Sequence, residues 1–345
     1  MTSDERIQVV TSLKMPAFRV GQISRHYFER HETDPSTWTD LPQGIREAVS
    51  QYFPSLLEKV TDSVADSGTT IKSLYRLGDG TLVECVLMSY PKDQGVRSTL
   101  CVSSQAGCGT GCPFCATGQA GLQRNLSAAE IVEQVRQAVV HLATENESLN
   151  NVVFMGMGEP LANYKAVMTA VRAICSPTPQ GLSVSARGIT ISTSGIVPPM
   201  KDLANEGLPL TLAVSLHAPD DELRDQLVPI NKRWKVDEVL DAAKAYFEVT
   251  GRRVSIEYAL MRDINDQAQR ADLLARKLIS RGRGWVHVNL IPLNPTPGSK
   301  WTASRRRDTA QFIERLEAAR IPVTLRDTRG QDIDGACGQL AAKSR

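Results

Sequence analysis

Aromatic side chains are scarce in this 345-residue chain, at 5% of the sequence. That excludes a protein that reads single strands mainly by stacking, which needs aromatic platforms along its groove. Long apolar runs are missing too. No stretch of about 18 apolar residues occurs, so no membrane-spanning helix is expected. The opening residues MTSDERIQVV carry acidic groups and no apolar core of the signal-peptide kind, which makes a cytoplasmic location the expectation. A large excess of charge is absent as well. The formal net charge is +2, and such a sum leaves a nucleic-acid partner open, because a local basic face is hidden in a balanced total.

What is present is an ordinary globular composition, 41% hydrophobic and 23% charged. The length suits one large α/β domain with a small extra one. Seven cysteines stand at 85, 101, 108, 112, 115, 175 and 337, and three of them fall within eight residues. In a reducing compartment such clustering points to metal or redox chemistry rather than a disulfide scaffold.

The chain divides by pattern. Residues 1–68 read as a helical module, with Val20, Ile23, Tyr27 and Phe28 at helical spacing and Pro16, Pro35 and Pro42 as punctuation. Residues 69–96 read as a hairpin and linker turning at Gly78-Asp79-Gly80. From 97 to 330, short apolar runs alternate with amphipathic stretches: RSTLCVSS, NVVFM, GITIST, LTLAVSL, VSIEYAL and WVHVNLI, then a short VTLR. Ser127 and Glu130 form a capping box at the start of one intervening helix. Six strand–helix units in series predict an α/β fold with a parallel sheet and right-handed crossovers. Six is fewer than the eight of a closed barrel, so a partial (βα)6 barrel is expected. Residues 331–345 form a Gly-containing tail.

In such folds the working loops follow the strands, and here the residues of chemical interest do the same. The cysteine cluster follows the first strand, Gly156 to Pro160 the second, and Ser192 to Gly195 end the third. Ser215-Leu216-His217 end the fourth and Asn294-Pro295 follow the sixth.

The cluster is Cys108-x3-Cys112-x2-Cys115, within GCGTGCPFCATG. Thiolates bind soft metals and iron–sulfur clusters. Gly107, Gly109, Gly111 and Gly118 let the backbone curl around a bulky group. Three cysteines hold three irons of a 4Fe–4S cubane and leave the fourth open for the amino and carboxylate groups of S-adenosylmethionine (SAM). Structural zinc is the alternative, but it takes four ligands, often as two paired motifs, and no second CxxC pair exists.

With Phe114 before its last cysteine, the triad resembles that of the radical SAM superfamily. The blocks LCVSSQAGC, NVVFMGMGEPL, STSGIVP, SLHAPDDELRDQLVPINK, LIPLNP and RGQDIDGACGQL, in that order, resemble the RlmN/Cfr family of RNA adenine methyltransferases over about residues 75–340. The resemblance implies SAM contacts at Gly158, Glu159, Ser192, Ser215, Leu216, His217 and Asn294. It implies that Cys337 carries the methyl group as S-methylcysteine, that Cys101 resolves the intermediate through a transient Cys101–Cys337 disulfide, and that Glu84 accepts a proton. Cys85 and Cys175 are left as structural residues. The implied activity is methylation of adenine C2 in 23S rRNA and tRNA, with two SAM per turnover and a flavodoxin-type electron donor, in a monomer without membrane attachment.

A C8-methylating, Cfr-like activity shares every motif above, and a non-catalytic, zinc-stabilised RNA-binding protein is the reading from another class. Basic groups at Lys232, Arg233, Lys235, Arg252, Arg253, Arg281, Arg283, Lys300 and Arg305 to Arg307 are candidates for phosphate contacts. The helical module gains an RNA-gripping role only through the resemblance.

Overall fold

The computed structural model of the chain describes residues 3–53, 55–91, 93, 95–296 and 299–342. Its strands are β1 (Leu57–Ala65), β2 (Thr70–Leu77), β3 (Leu82–Pro91), β4 (Val96–Cys101), β5 (Gln105–Gly107), β6 (Leu122–Asn125), β7 (Leu149–Phe154), β8 (Ile189–Thr193), β9 (Thr211–Ser215), β10 (Val254–Leu260), β11 (Val286–Pro292) and β12 (Val323–Leu325). Ten of them form one sheet in the order β1-β2-β3-β4-β7-β8-β9-β10-β11-β12, and β5 pairs with β6 alone. The run from β4 through β12 is parallel, while β1, β2 and β3 extend it antiparallel. This is the expected partial barrel: six full parallel strands, with β12 as a short seventh.

Strand alternation explains what the two faces do. On β10, Val254, Ile256 and Tyr258 are fully buried among the helices, whereas Glu257 and Ala259 line the barrel interior. Ile189 and Ile191 of β8 go outward and Thr190 and Ser192 inward; β9 repeats this with Leu212 and Val214 against Thr211 and Ser215. A parallel strand buried on both faces usually reads as a continuous apolar run. Here inner positions such as Thr190, Ser192, Thr211, Ser215 and Glu257 are polar, so the lumen is not a wholly apolar core.

The covering helices include 128–144, 164–175, 236–250, 268–279 and 306–318. The capping box at Ser127 and Glu130 is present, each side chain meeting the other's backbone N–H. The N-terminal helices pack on the barrel through polar clasps. Tyr27 donates its hydroxyl to Glu133 at 2.7 Å, Arg136 donates to the carbonyl of His31 at 3.1 Å, and Arg6 donates to that of Gln180 at 2.8 Å. Inside this module Trp38 stacks on His26 at 4.6 Å, and the two imidazole nitrogens meet Glu32 and Asp40 at 2.5 Å each.

One boundary differs from the sequence reading. Residues 57–65 were expected within the helical module and instead form β1. This strand lies at the sheet edge with most side chains at least partly exposed, so neither face carries the apolar alternation that announces a strand.

The tail closes the open seam between β12 and the antiparallel strands. Arg329 donates to Thr69 Oγ1 at 3.0 Å and to the carbonyl of Ser89 at 3.2 Å. The N–H of Gly330 donates to Asp66 at 2.9 Å, and Lys72 donates to the carbonyl of Asp334 at 3.4 Å.

Candidate active site

Beyond their C-terminal ends the parallel strands surround a cavity of about 170 Å³, lined by Cys108, Cys112, Cys115, Gly158, Glu159, Ser192, Ser215, His217, Asn294 and Cys337 among others. The fold thus brings together all but one of the residues expected to hold a cluster and SAM. The exception is Leu216, which is fully buried; its backbone carbonyl accepts from Arg224 Nε at 3.0 Å, and its N–H donates to the carbonyl of Glu257 at 3.0 Å.

The cysteine loop leaves β5 at Gly107, whose φ is +74°. A Cβ there would lie 1.9 Å from the carbonyl oxygen of Gly121, so only glycine lets the loop close on itself. Burial pushes the Cys112 thiol well above its usual range, with Cys115 and Cys108 adding to the effect. Among the described residues, no three histidine, cysteine or acidic side chains converge on a single-ion site. Three thiols around a shared cavity suit a multi-iron group, whose cysteine ligands stand further apart than the four of structural zinc.

Gly158 has φ +104°, and a Cβ there would meet Gln105 at 2.6 Å. Glu159 is 5% exposed. Its carboxylate accepts from the N–H of Leu161 at 3.0 Å and from the N–H and hydroxyl of Ser194 at 2.7 Å each. Burial raises its pKa, and the Ser194 hydrogen bonds oppose that. Glu159 therefore ties the loops after β7 and β8 together as well as facing the cavity.

His217 sits in the left-handed region at φ +60°, which histidine tolerates better than most residues. Its Nδ1 accepts the N–H of Ala259 at 3.0 Å, so Nε2 carries the proton. Burial, with the charge of Arg224 second, lowers its pKa to about 3. The ring packs edge-on against Phe114 at 5.0 Å, and the site keeps a neutral imidazole donor.

Arg224 was not singled out in the sequence. It is fully buried and binds the carbonyls of Leu216, Ser194 and Ser215 at 3.0, 2.6 and 3.2 Å, and Asn231 Oδ1 at 2.9 Å. One guanidinium thus holds the loops after β8 and β9, both of which wall the cavity. Arg224→Met would leave these acceptors buried and unpaired. The expected result is a loss of roughly 3–5 kcal/mol of stability and SAM binding weakened at least tenfold. Anaerobic denaturation and calorimetric titration with SAM measure the two.

Cys337 stands in the docked tail. Asn294 Nδ2 donates to its carbonyl at 3.0 Å, Ala116 N–H donates to the carbonyl of Gly338 at 2.8 Å, and Thr117 donates to that of Leu340 at 2.6 Å. The tail holds Cys337 where it lines both the thiol cavity and a second cavity that contains Cys101. Both thiols are free. Arg326 and Glu257, 3.7 Å apart, stand beside Cys337. Glu257 is 3% exposed, and its Oε2 makes no hydrogen bond and meets Arg326 only at 3.7 Å; Asn294 Oδ1 is likewise buried without a hydrogen-bond partner.

Glu84 lies on β3 and is buried. It is 3% exposed, pairs with Lys72 at 2.9 Å, and accepts the N–H groups of Ala341 and Ala342 at 2.9 and 3.0 Å. It lines neither cavity; its carboxylate clamps the tail. Much of the expected basic surface is also internally engaged. Arg281 pairs with Asp237 and Asp241, Lys235 with Asp225, Arg305 with Asp263, and Arg252 binds Thr211.

The pattern of the Radical SAM superfamily matches residues 102–275. A protein of Cutibacterium acnes described as a probable dual-specificity RNA methyltransferase RlmN is 59% identical, over 100% of this chain and 87% of its own length. One of the same description from Kocuria rhizophila is 62% identical over 95% of this chain and 87% of its own. The crystal structure of a radical SAM methyltransferase from Sphaerobacter thermophilus superposes with a TM-score of 0.94, at 42% identity, covering 99% of this chain and 98% of that one.

Proposed function

The chain belongs to the radical SAM superfamily and, within it, to the RlmN family of SAM-dependent RNA methyltransferases, and from that membership we propose that it methylates C2 of a specific adenine in 23S rRNA and in tRNA. Membership implies a 4Fe–4S cluster and SAM as cofactors. In this reading Cys108, Cys112 and Cys115 hold the cluster, and SAM lies against Gly158, Glu159, Ser192, Ser215, His217 and Asn294, with Leu216 only supporting the loop from behind.

Adenine C2 is electron-poor, so it does not attack a sulfonium methyl directly. A thiolate does, and Cys337 takes the methyl group from one SAM by displacement. When bound, the cluster would supply the electron that cleaves a second SAM to a carbon radical able to remove a hydrogen atom from that methyl. Cys337 then presents the activated carbon to adenine C2. A base takes the C2 proton while the odd electron of the adduct would return to the cluster; Cys101 then attacks the sulfur of Cys337, the S–C bond breaks toward carbon, which takes up a proton to become the methyl group, and a disulfide is left. Reduction of that disulfide from outside completes the cycle, with a flavodoxin-type donor as the electron source. Glu84 serves as the base only when the tail residues it clamps have moved.

The observation that carries this reading is the position of Cys337, held by backbone contacts at the boundary of two cavities with Cys101 in the second. The test is mass spectrometry of digested RNA after anaerobic reaction of the cluster-loaded enzyme. It should yield 2-methyladenosine from 23S rRNA and tRNA transcripts. Only 8-methyladenosine would move the assignment to the Cfr-like activity. No methylated adenosine, with no cluster absorbance, would support a non-catalytic zinc protein.

A further inference from the structure

Arg326 follows the last strand, β12, and stands where the two cavities meet. Among the described residues it is the one charged side chain that lines both. Its backbone N–H donates to the carbonyl of Leu290 at 2.8 Å, which fixes it beside β11. A guanidinium with an acid nearby ordinarily meets it through short, paired hydrogen bonds. Here Glu257 Oε2 stays 3.7 Å from Nη1, beyond hydrogen-bond reach. The other oxygen of Glu257 accepts the Ser255 hydroxyl at 2.6 Å and Asn289 Nδ2 at 3.0 Å, so the carboxylate is pinned short of the arginine. What Nη1 does meet is a sulfur, that of Met155, at 3.7 Å.

Met155 links this cation to the first of the two working thiols, because Met155 packs against the apolar cluster that holds Cys101. Cys337 lines the same two cavities as Arg326. Burial raises the pKa of Cys101, and Cys337 and Cys85 add to that; the Met155 backbone and Arg326 oppose it. Burial raises Cys337 as well, with Arg326 opposing and Glu257 and Cys115 adding. Arg326 is thus the side chain that favours the thiolate at both positions. The other charged groups of the second cavity are engaged elsewhere or lie at its edge. Arg97 and Arg329 sit against the Tyr90 ring at 5.0 and 4.3 Å, and Arg187 and Asp327 are exposed. Two anions that share one site do not both ionise readily at neutral pH, and one guanidinium offsets one negative charge.

We propose that Arg326 is a counter-ion that the two thiols share in turn: it holds the Cys337 thiolate for methyl acceptance and, once methylation has discharged that sulfur, holds the Cys101 thiolate for resolution. The inference rests on the RNA-methyltransferase reading and adds the residue that orders its two sulfur steps. In the first step a lone pair of the Cys337 thiolate forms the bond to the methyl carbon. The bond from that carbon to the SAM sulfur breaks, and the negative and positive charges cancel. Cys337 is then a neutral thioether with no claim on the guanidinium. Cys101 ionises beside the freed cation and attacks the Cys337 sulfur. The S–S bond forms as the S–C bond breaks, and the proton that Cys101 gave up balances the one the departing carbon takes up. The resolving thiol is activated, on this view, only when a methylated carrier stands in front of it. Glu257 keeps the guanidinium in the lumen throughout, too far away to claim it.

The test treats cluster-loaded full-length protein with iodoacetamide without oxygen and follows the labelling of Cys101 by peptide mass spectrometry. The alkylation rate reports the thiolate fraction. Cys101 should label at least about tenfold faster when Cys337 has been S-methylated by SAM alone than when it is a free thiol. Cys337→Ala, which removes the competing thiolate without adding bulk, should show the same gain. Arg326→Gln should abolish the gain in both backgrounds. Arg326→Lys, which keeps the charge, should retain at least about a third of it. Melting temperature and cluster absorbance control for folding. Equal Cys101 rates in the free-thiol, methylated and Cys337→Ala proteins would overturn the proposal, and that comparison needs no arginine variant to fold. A gain that survives Arg326→Gln would overturn it too, since the effect would then come from opening of the tail. The labelling uses no RNA, so failure of the parent reading is seen separately, as wild-type enzyme that yields no methylated adenosine.

Discussion

Cys337→Ala is expected to give a cluster-loaded, SAM-binding protein that transfers no methyl group to RNA, a loss of at least about a thousandfold. The reason is chemical: alanine offers neither a thiolate to take the methyl nor a sulfur to activate it. The structure makes the experiment clean, because the tail is held by groups the substitution spares. Asn294 binds the backbone carbonyl of Cys337, Ala116 that of Gly338 and Thr117 that of Leu340, and Glu84 binds two backbone N–H groups. The tail should therefore dock in the variant as it does in the parent. Transfer of label from methyl-labelled SAM to RNA, with iron content and SAM affinity measured alongside, checks the prediction. Retained transfer would refute the carrier role.

Cys101→Ala has an effect of equal size and opposite appearance. The methyl-bearing Cys337 still reacts with RNA, but nothing releases it, so a covalent protein–RNA species should accumulate toward one RNA per protein. Cys101 ends β4, is 9% exposed and packs with Val86, Met157 and Leu340. Losing one sulfur from this cluster should cost only about 1 kcal/mol, so the variant folds. Burial also keeps the Cys101 thiol protonated at neutral pH, with Cys337 raising its pKa further. Cys101 therefore needs the reaction itself, or a shift of the tail, to become nucleophilic. A nuclease-sensitive band of high mass on a denaturing gel is the expected readout.

Much of this was legible in the sequence for physical reasons. Polar residues after each apolar run marked the strand ends, and the thiol spacing marked the cluster loop; both features survive folding because they are local. The residues that were missed depend on distance in the chain. Arg224 reads as one charge in an acidic helix, DELRDQL, and only the fold turns it inward to three loop carbonyls. Glu257 was visible as the single charge in VSIEYAL, and alternation along that strand would have placed it in the lumen. Glu84 sits in a strand that reads as apolar, and its tail partners lie more than 250 residues away. Some of the basic candidates are engaged for the same reason: their acidic partners come from neighbouring helices, as with Arg281 and Asp237.

The central claim is that the methyl group reaches RNA through Cys337. Peptide mass spectrometry of nuclease- and protease-digested Cys101→Ala protein, after anaerobic reaction with SAM and RNA, tests it most directly. The account predicts a tail peptide in which Cys337 carries an adenine nucleotide through one added carbon. An unmodified Cys337 in that protein, alongside methylated RNA, would contradict it.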